Sequence, residues 1–304
     1  MIYDNMFGAP PPELAETAPG ARQFSPLAPG ASDLSGDLAA TPPGALANFV
    51  LLAPRGAVER RATLALALRA LAPGAPFLVM APKDKGGGRI AKELAELGCP
   101  SVESSKRHHR LCAAKAQGDA DAIEAAIEAG APRFSQSLGL WTQPGVFSWD
   151  RIDPGSALLL RHLPDFSGRG ADFGCGLGVI AHGILASPKV KSLVLVDIDR
   201  RATELCARNV ADPRVTILWA DARGLKNGPF DFIAMNPPFH EAGKESKELG
   251  RGFIASAAAN LRPGGRCWLV ANRHLPYEAA LAKNFRSVTA IAEEDGFKVI
   301  EAVK

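Results

Sequence analysis

Asp172-Phe173-Gly174-Cys175-Gly176-Leu177-Gly178 is the stretch on which the fold turns. It follows Gly170-Ala171, which reads with Asp172-Phe173 as the end of a strand, and precedes a helical stretch from Val179 to Ala186 that Pro188 stops. Glycines between a strand and a helix let the backbone take positive φ or approach a ligand closely. A dinucleotide-binding loop, G-x-G-x-x-G, would need glycine at 179, where the chain has Val179. An acidic residue in front, and a third glycine after one intervening residue, fit S-adenosylmethionine better. On this reading Gly174, Gly176 and Gly178 pass against the methionine and ribose of the cofactor. Asp172 supports the loop or reaches the methionine amino group.

Strand and helix alternate beyond the loop. Leu193–Val196, Val215–Trp219, Phe232–Met235 and Cys267–Val270 read as strands, and 201–210 and 246–261 as helices. Repeated βα units predict a parallel, doubly wound sheet, in which ligands bind outside the carboxyl ends of the strands. Those ends carry suitable residues. Asp197 is placed to accept both ribose hydroxyls, Ile198 to pack on the adenine, and Asp199 to cap the next helix. Asp221, with Ala222 beside it, is placed to accept from the adenine 6-amino group.

The fourth strand runs into Asn236-Pro237-Pro238-Phe239, with His240 behind. An exocyclic amine on a base is a poor nucleophile because its lone pair is delocalised into the ring. The side-chain oxygen of Asn236 and the carbonyl of Pro237 can each accept one N–H. That draws the nitrogen towards tetrahedral geometry for in-line attack on a sulfonium methyl, by positioning and electrostatics, with no metal and no covalent intermediate. Phe239 offers a face for stacking an extruded base. His240 adjoins the site as a base or phosphate contact. A plain strand followed by a Pro-Pro turn would leave the upstream glycine loop unexplained.

The N-terminal part carries a partial echo of this pattern. Leu71-Ala72-Pro73-Gly74 before Phe77–Ala81 matches Leu261-Arg262-Pro263-Gly264 before Cys267–Ala271. Asn48–Pro54 lies over Asp231–Pro237, which sets Ala53 where Asn236 stands and Arg55 where Pro238 stands. This copy has neither the amide nor a glycine loop. Residues 9–45 are rich in Ala, Pro and Gly, and 1–45 are expected to be largely irregular, with order beginning near Asn48. The boundary is placed at Gly130-Ala131-Pro132, giving domains 1–130 and 131–304. The cationic run Ser104–Arg110 reads as a solvated hairpin or as a holder of RNA phosphates through Lys106, Arg107 and Arg110.

The chain has 304 residues, enough for two domains, and a net charge of +3, so nucleic acid would be met by local patches rather than a global field. Its five cysteines are scattered with no C-x-x-C pair, which argues for a reducing cytoplasm and against a zinc site or a disulfide framework. Arg69, Pro73 and Pro76 break the most apolar stretch, Leu64 to Met80, so no membrane span is expected.

These residues, with Pro144-Gly145-Val146-Phe147-Ser148, Asp153-x-Gly155, Val270-Ala271-Asn272, Leu275-Pro276-Tyr277 and Phe297-Lys298-Val299, resemble the ribosomal RNA small-subunit methyltransferase C family. The likeness runs from about residue 47 onward. It implies two tandem Rossmann-like class I methyltransferase domains, the first degenerate and cofactor-less. It further implies S-adenosylmethionine-dependent methylation of a guanine N2 in 16S rRNA or the small subunit, by a monomer. Phe147 would line the cofactor or substrate entrance. Rival readings keep the chemistry on adenine N6, cytosine N4, a large-subunit rRNA guanine N2 or a protein glutamine, or make the chain a non-catalytic RNA-binding or assembly protein on a methyltransferase scaffold.

Overall fold

The chain enters a sheet almost at once. β1 (Ile2–Phe7) pairs in parallel with both β2 (Glu16–Gln23) and β3 (Phe49–Leu52). The expectation that 1–45 is largely irregular, with order beginning near Asn48, is therefore corrected: two strands lie there. Composition hid them because β2 contains Pro19 and Gly20 and lies at the sheet edge, where one side of the backbone needs no partner strand. Phe24 and Tyr3 are buried beside them, and the Gln23 side chain bonds both N–H and carbonyl of Gly8.

This computed structural model describes residues 1–29, 34–238, 240–241, 244–245 and 247–304, with backbone alone at 240–241, 244–245 and 247. It divides into two compact units, Met1–Arg133 with Gln143–Gly145, and Phe134–Thr142 with Val146–Lys304. No helix among the described residues is long and apolar enough to cross a membrane.

The first unit continues through α1 (Ala57–Ala70), β4 (Pro76–Pro82), α2 (Ile90–Glu96), β5 (Ser101–Lys106), β6 (His109–Lys115) and α3 (Ala120–Ala129). Its sheet order is β2-β1-β3-β4-β6-β5, parallel through β4 and antiparallel beyond. Phe49, Leu51, Phe77 and Val79 form the core with the buried leucines of α1 and α2.

The second unit opens with a ribbon of β7 (Arg133–Ser135) and β8 (Leu140–Thr142). Then come α4 (Pro154–His162), β9 (Gly168–Phe173), α5 (Val179–Leu185), β10 (Val190–Asp197), α6 (Arg200–Asn209), β11 (Val215–Trp219) and β12 (Phe230–Met235). A short pair, β13 (His240–Glu241) and β14 (Lys244–Glu245), precedes α7 (Lys247–Asn260), β15 (Leu261–Asn272), α8 (Glu278–Asn284), β16 (Ser287–Glu294) and β17 (Phe297–Val303). The sheet order is β11-β10-β9-β12-β15-β17-β16, parallel as far as β15, after which β17 and β16 run antiparallel. Remove β11 and the two sheets have the same strand order and the same sense at every pairing. The sequence echo falls into place here, with β3 standing where β12 stands and β4 where β15 stands.

One polar contact braces the first unit. Arg60 of α1 is only 2% exposed and grips Glu93 of α2 with two parallel bonds, Nε to Oε2 at 2.7 Å and Nη2 to Oε1 at 2.6 Å. Its Nη1 donates to the Arg55 carbonyl at 2.9 Å, fastening the chain after β3. Glu93→Ala leaves a buried guanidinium without its counter-charge and should cost about 3–5 kcal/mol in urea unfolding. The volume-matched pair Arg60→Met with Glu93→Leu should recover most of that loss.

Candidate active site

The site forms where β9 and β12 end side by side. Asp172 lies opposite Ala234, and Phe173 opposite Met235, so the glycine loop and Asn236 leave the sheet at one level. All three loop glycines take left-handed backbone, with φ of 81°, 51° and 85° at Gly174, Gly176 and Gly178. Their surroundings differ. A Cβ at Gly176 would meet nothing within 4 Å, so that position faces open space. A Cβ at Gly178 would meet Val210 at 2.5 Å and Cys206 at 3.0 Å. Gly178 thus serves the packing of α6 behind the loop and caps α5.

Two further contacts hold the loop from behind. Asn209, at the end of α6, donates from Nδ2 to the carbonyls of Leu177 and Trp141, both at 3.0 Å, and accepts from the Trp141 N–H at 2.7 Å. Cys175 lies against Cys206, and that thiol together with burial holds the Cys175 thiol well above its usual range.

The carboxylates behind the loop are tuned by burial. Asp172 is fully buried, and neither of its oxygens has a hydrogen-bond partner among the described residues. Burial, and then the charge of Asp197, push it up to about 8. A buried carboxyl without a partner calls for a hydrogen-bond donor from outside the described residues, and an amino-acid ammonium is one such group. Asp197 Oδ2 accepts from the Gly176 N–H at 2.8 Å, and Oδ1 from the Asp199 N–H at 2.9 Å. Burial raises Asp197 to about 6, and these backbone donors pull against the rise. Asp199 caps α6 and binds Arg201. Asp221 caps a short turn, and the Arg223 guanidinium holds its carboxyl below the usual range. The Ala222 side chain is buried in the core, and Ile198 is exposed.

Asn236 shows which end of its amide faces outward. Nδ2 donates to Asp153 Oδ2 at 2.8 Å and to Ser156 Oγ at 2.9 Å, so both amide hydrogens are spent on α4. The Asn236 Oδ1 accepts nothing from the described residues. Asp153 also caps α4, accepting the Ser156 N–H on the same Oδ2 at 2.8 Å. Asp153, Ser156, Gly174, Gly176 and Asn236 line one cleft open to solvent, with Phe147 on its wall, 59% exposed.

Asp153 and Ser156 carry a function that spacing did not reveal. Asp153-Pro154-Gly155-Ser156 has the form of a helix start, with a capping carboxylate and proline at the first helical position. Nothing in it points to an asparagine 83 residues downstream. Pro237 is buried and Pro238 exposed, whereas Phe239 and the His240 side chain lie outside the described residues. In the first unit, Lys106 reaches the Glu13 carbonyl, Arg107 sits in the β5–β6 turn with φ of 48°, and Arg110 lies 3.5 Å from Glu103 across the hairpin. The cationic run is therefore not free of acidic neighbours. No group of three or more His, Cys, Asp or Glu among the described residues is arranged to hold a metal.

Fold and site define an S-adenosylmethionine-type methyltransferase, and residues 137–301 match the family model "Methyltransferase small domain". Two relatives named ribosomal RNA small subunit methyltransferase C align along most of the chain. The protein of Shewanella loihica is 33% identical over 256 residues, covering 82% of this chain and 75% of its own. That of Shewanella sediminis is 35% identical over 237 residues, covering 75% and 68%. The solved T. thermophilus 16S rRNA guanine-N2 methyltransferase, in complex with AdoMet and guanosine, superposes with a TM-score of 0.78 at 24% identity, over 99% of this chain and 88% of its own. The chain belongs to the ribosomal RNA small subunit methyltransferase C family.

The raised Asp172 has a measurable consequence. Its folded pKa lies above the ordinary carboxylate value of about 3.9. The unfolded chain therefore gives up this proton first as pH rises. The stability contributed by Asp172 is complete below about pH 4 and is lost progressively up to about pH 8, at roughly 1.4 kcal/mol per pH unit at most. In ligand-free protein, Asp172→Asn should be the more stable form at pH 8 and should flatten this part of a thermal-denaturation pH series. Equal slopes for variant and wild type would contradict the assignment.

Proposed function

We propose that this chain transfers a methyl group from S-adenosylmethionine to the exocyclic N2 of a guanine in 16S rRNA, free or within the small subunit. The observation that carries the reading is Asn236, whose amide nitrogen is tied to Asp153 and Ser156 so that its oxygen is left to accept from an amino group in the cleft. The residues fit the cofactor. Asp172 is a buried acceptor for its ammonium, Gly174 and Gly176 admit it closely, Asp197 has oxygen lone pairs left for ribose hydroxyls, and Asp221, Ile198 and the backbone of Ala222, whose side chain is in the core, would meet the adenine. When bound, S-adenosylmethionine supplies an electrophilic methyl group.

The protein's own part is to hold the amine. Asn236 Oδ1 and the Pro237 carbonyl each accept one N–H, which localises the nitrogen lone pair and aims it. To an amine so held the bound cofactor would supply its methyl group, leaving as the neutral thioether, and the displaced N–H proton would pass to solvent. Phe239 stacks the base, with His240 beside it. Pro238 stiffens the turn. Gly178 shapes the loop from behind.

The first unit, on this proposal, is a degenerate, cofactor-less copy that helps hold RNA. Its sheet repeats the order of the second, Ala53 replaces Asn236, and Gly8–Ala15, with three successive prolines, stands where the second unit has its glycine loop and α5. Lys106, Arg107 and Arg110 meet phosphates. The protein works as a cytoplasmic monomer without metal.

Incubation with methyl-labelled S-adenosylmethionine and 16S rRNA, followed by nucleoside analysis, should yield N2-methylguanosine. Asn236→Ala should lower the rate by about a hundredfold or more while cofactor binding persists. Label in N6-methyladenosine would move the activity to the adenine reading. Absence of both transfer and cofactor binding would leave only a scaffold protein.

A further inference from the structure

We propose that Asp153 selects the base: its Oδ1 accepts the ring N1–H of guanine while Asn236 Oδ1 accepts the neighbouring N2–H. The inference rests on the guanine reading above and names the residue that separates guanine from other amines.

Asp153 and Asn236 line the same cleft and share a hydrogen bond of 2.8 Å. Asp153 Oδ2 is fully engaged, accepting both the Ser156 N–H and the Asn236 amide. Oδ1 accepts no hydrogen bond from the described residues. A helix cap needs one acceptor, and asparagine, serine or threonine would supply it. A carboxylate adds a second acceptor and no donor. The cleft therefore offers two oxygens, on Asn236 and on Asp153, held at a fixed separation through their common bond.

Among the candidate amines only guanine presents two adjacent donors, N1–H and N2–H. Adenine sets the bare N1 acceptor beside its 6-amino group, and cytosine sets the bare N3 beside its 4-amino group. A glutamine amide sets a carbonyl beside its NH2. In each of these, a lone pair would face the Asp153 carboxylate, an unpaired and repulsive arrangement in a partly desolvated site. Asp153 is thus the element that makes a general amine site into a guanine site.

The test uses 2-aminopurine, which keeps the 2-amino group but has a bare N1. The modified position is first mapped with wild-type protein, and RNA is then prepared with guanine or 2-aminopurine there. Wild type should prefer guanine by at least about a hundredfold in kcat/KM, because a site built to bond a substrate N–H rejects the analogue without it by up to about 10⁴–10⁵. In Asp153→Asn, two donors, the Ser156 N–H and the Asn236 amide, pin the new carbonyl oxygen in the place of Oδ2. The variant NH2 then takes the place of Oδ1, where it suits a bare N1 and opposes N1–H. The preference should narrow by at least tenfold or invert, with cofactor binding and Tm close to wild type. Equal proportional losses on both substrates, or no change on either, would overturn the proposal and leave Asp153 a positioning residue for Asn236. Wild type that methylates no guanine fails the parent reading, and that failure is visible before any variant is made.

Discussion

The pairing of β9 with β12 is the contact on which the site depends. The glycine loop and Asn236 belong to distant parts of the chain, and only this parallel ladder brings them to one level. It is sensitive to a single atom. A Cβ at Gly170 would strike the ring of Phe232 across the ladder, and that ring is itself stacked on Phe166 at 4.1 Å. Core packing beneath the sheet thus sets the spacing between the glycine loop and Asn236 above it. Residues that never touch a ligand determine whether the two motifs act together.

The parts legible in sequence share one physical property. β10, β12 and the later half of β15 are covered on both faces, so they carry unbroken apolar runs at Leu193–Val196, Phe232–Met235 and Cys267–Ala271. Polar residues directly after such runs fall at the strand ends, which is why Asp197 and Asn236 could be singled out, while Asp221 follows the edge strand β11. What escaped lacks that signature. β1 and β2 sit towards an edge, β2 within an Ala/Pro-rich stretch, and β16 is mostly exposed. Asp153 escaped for another reason. A cap is a local pattern, whereas its bond to Asn236 is set by how α4 lies over the strand ends. The pairing of Arg110 with Glu103 likewise follows from hairpin register, which a run of cations does not disclose.

The two sheets show how far one strand order can diverge in its trimmings. Both keep the parallel core and antiparallel border, yet polar investment is placed differently. In the first unit the strongest buried ionic contact, Arg60 with Glu93, joins two helices and the chain after β3. In the second, Asn260 and Ser256 of α7 fasten the chain around Ala222 and Leu225, while Asp172 at the end of β9 has no hydrogen-bond partner among the described residues.

Gly178 carries a consequence beyond its own turn. Because it has no side chain, α6 closes on the loop, and Asn209 pins Leu177 from the same side. The curvature of the loop is thereby imposed by the protein interior and not by whatever enters the cleft. Such a cradle is pre-organised: a ligand meets a backbone whose course is already fixed and does not lose affinity to the entropy of ordering it. Cofactor affinity then reports on helix packing behind the site as much as on the groups in front of it.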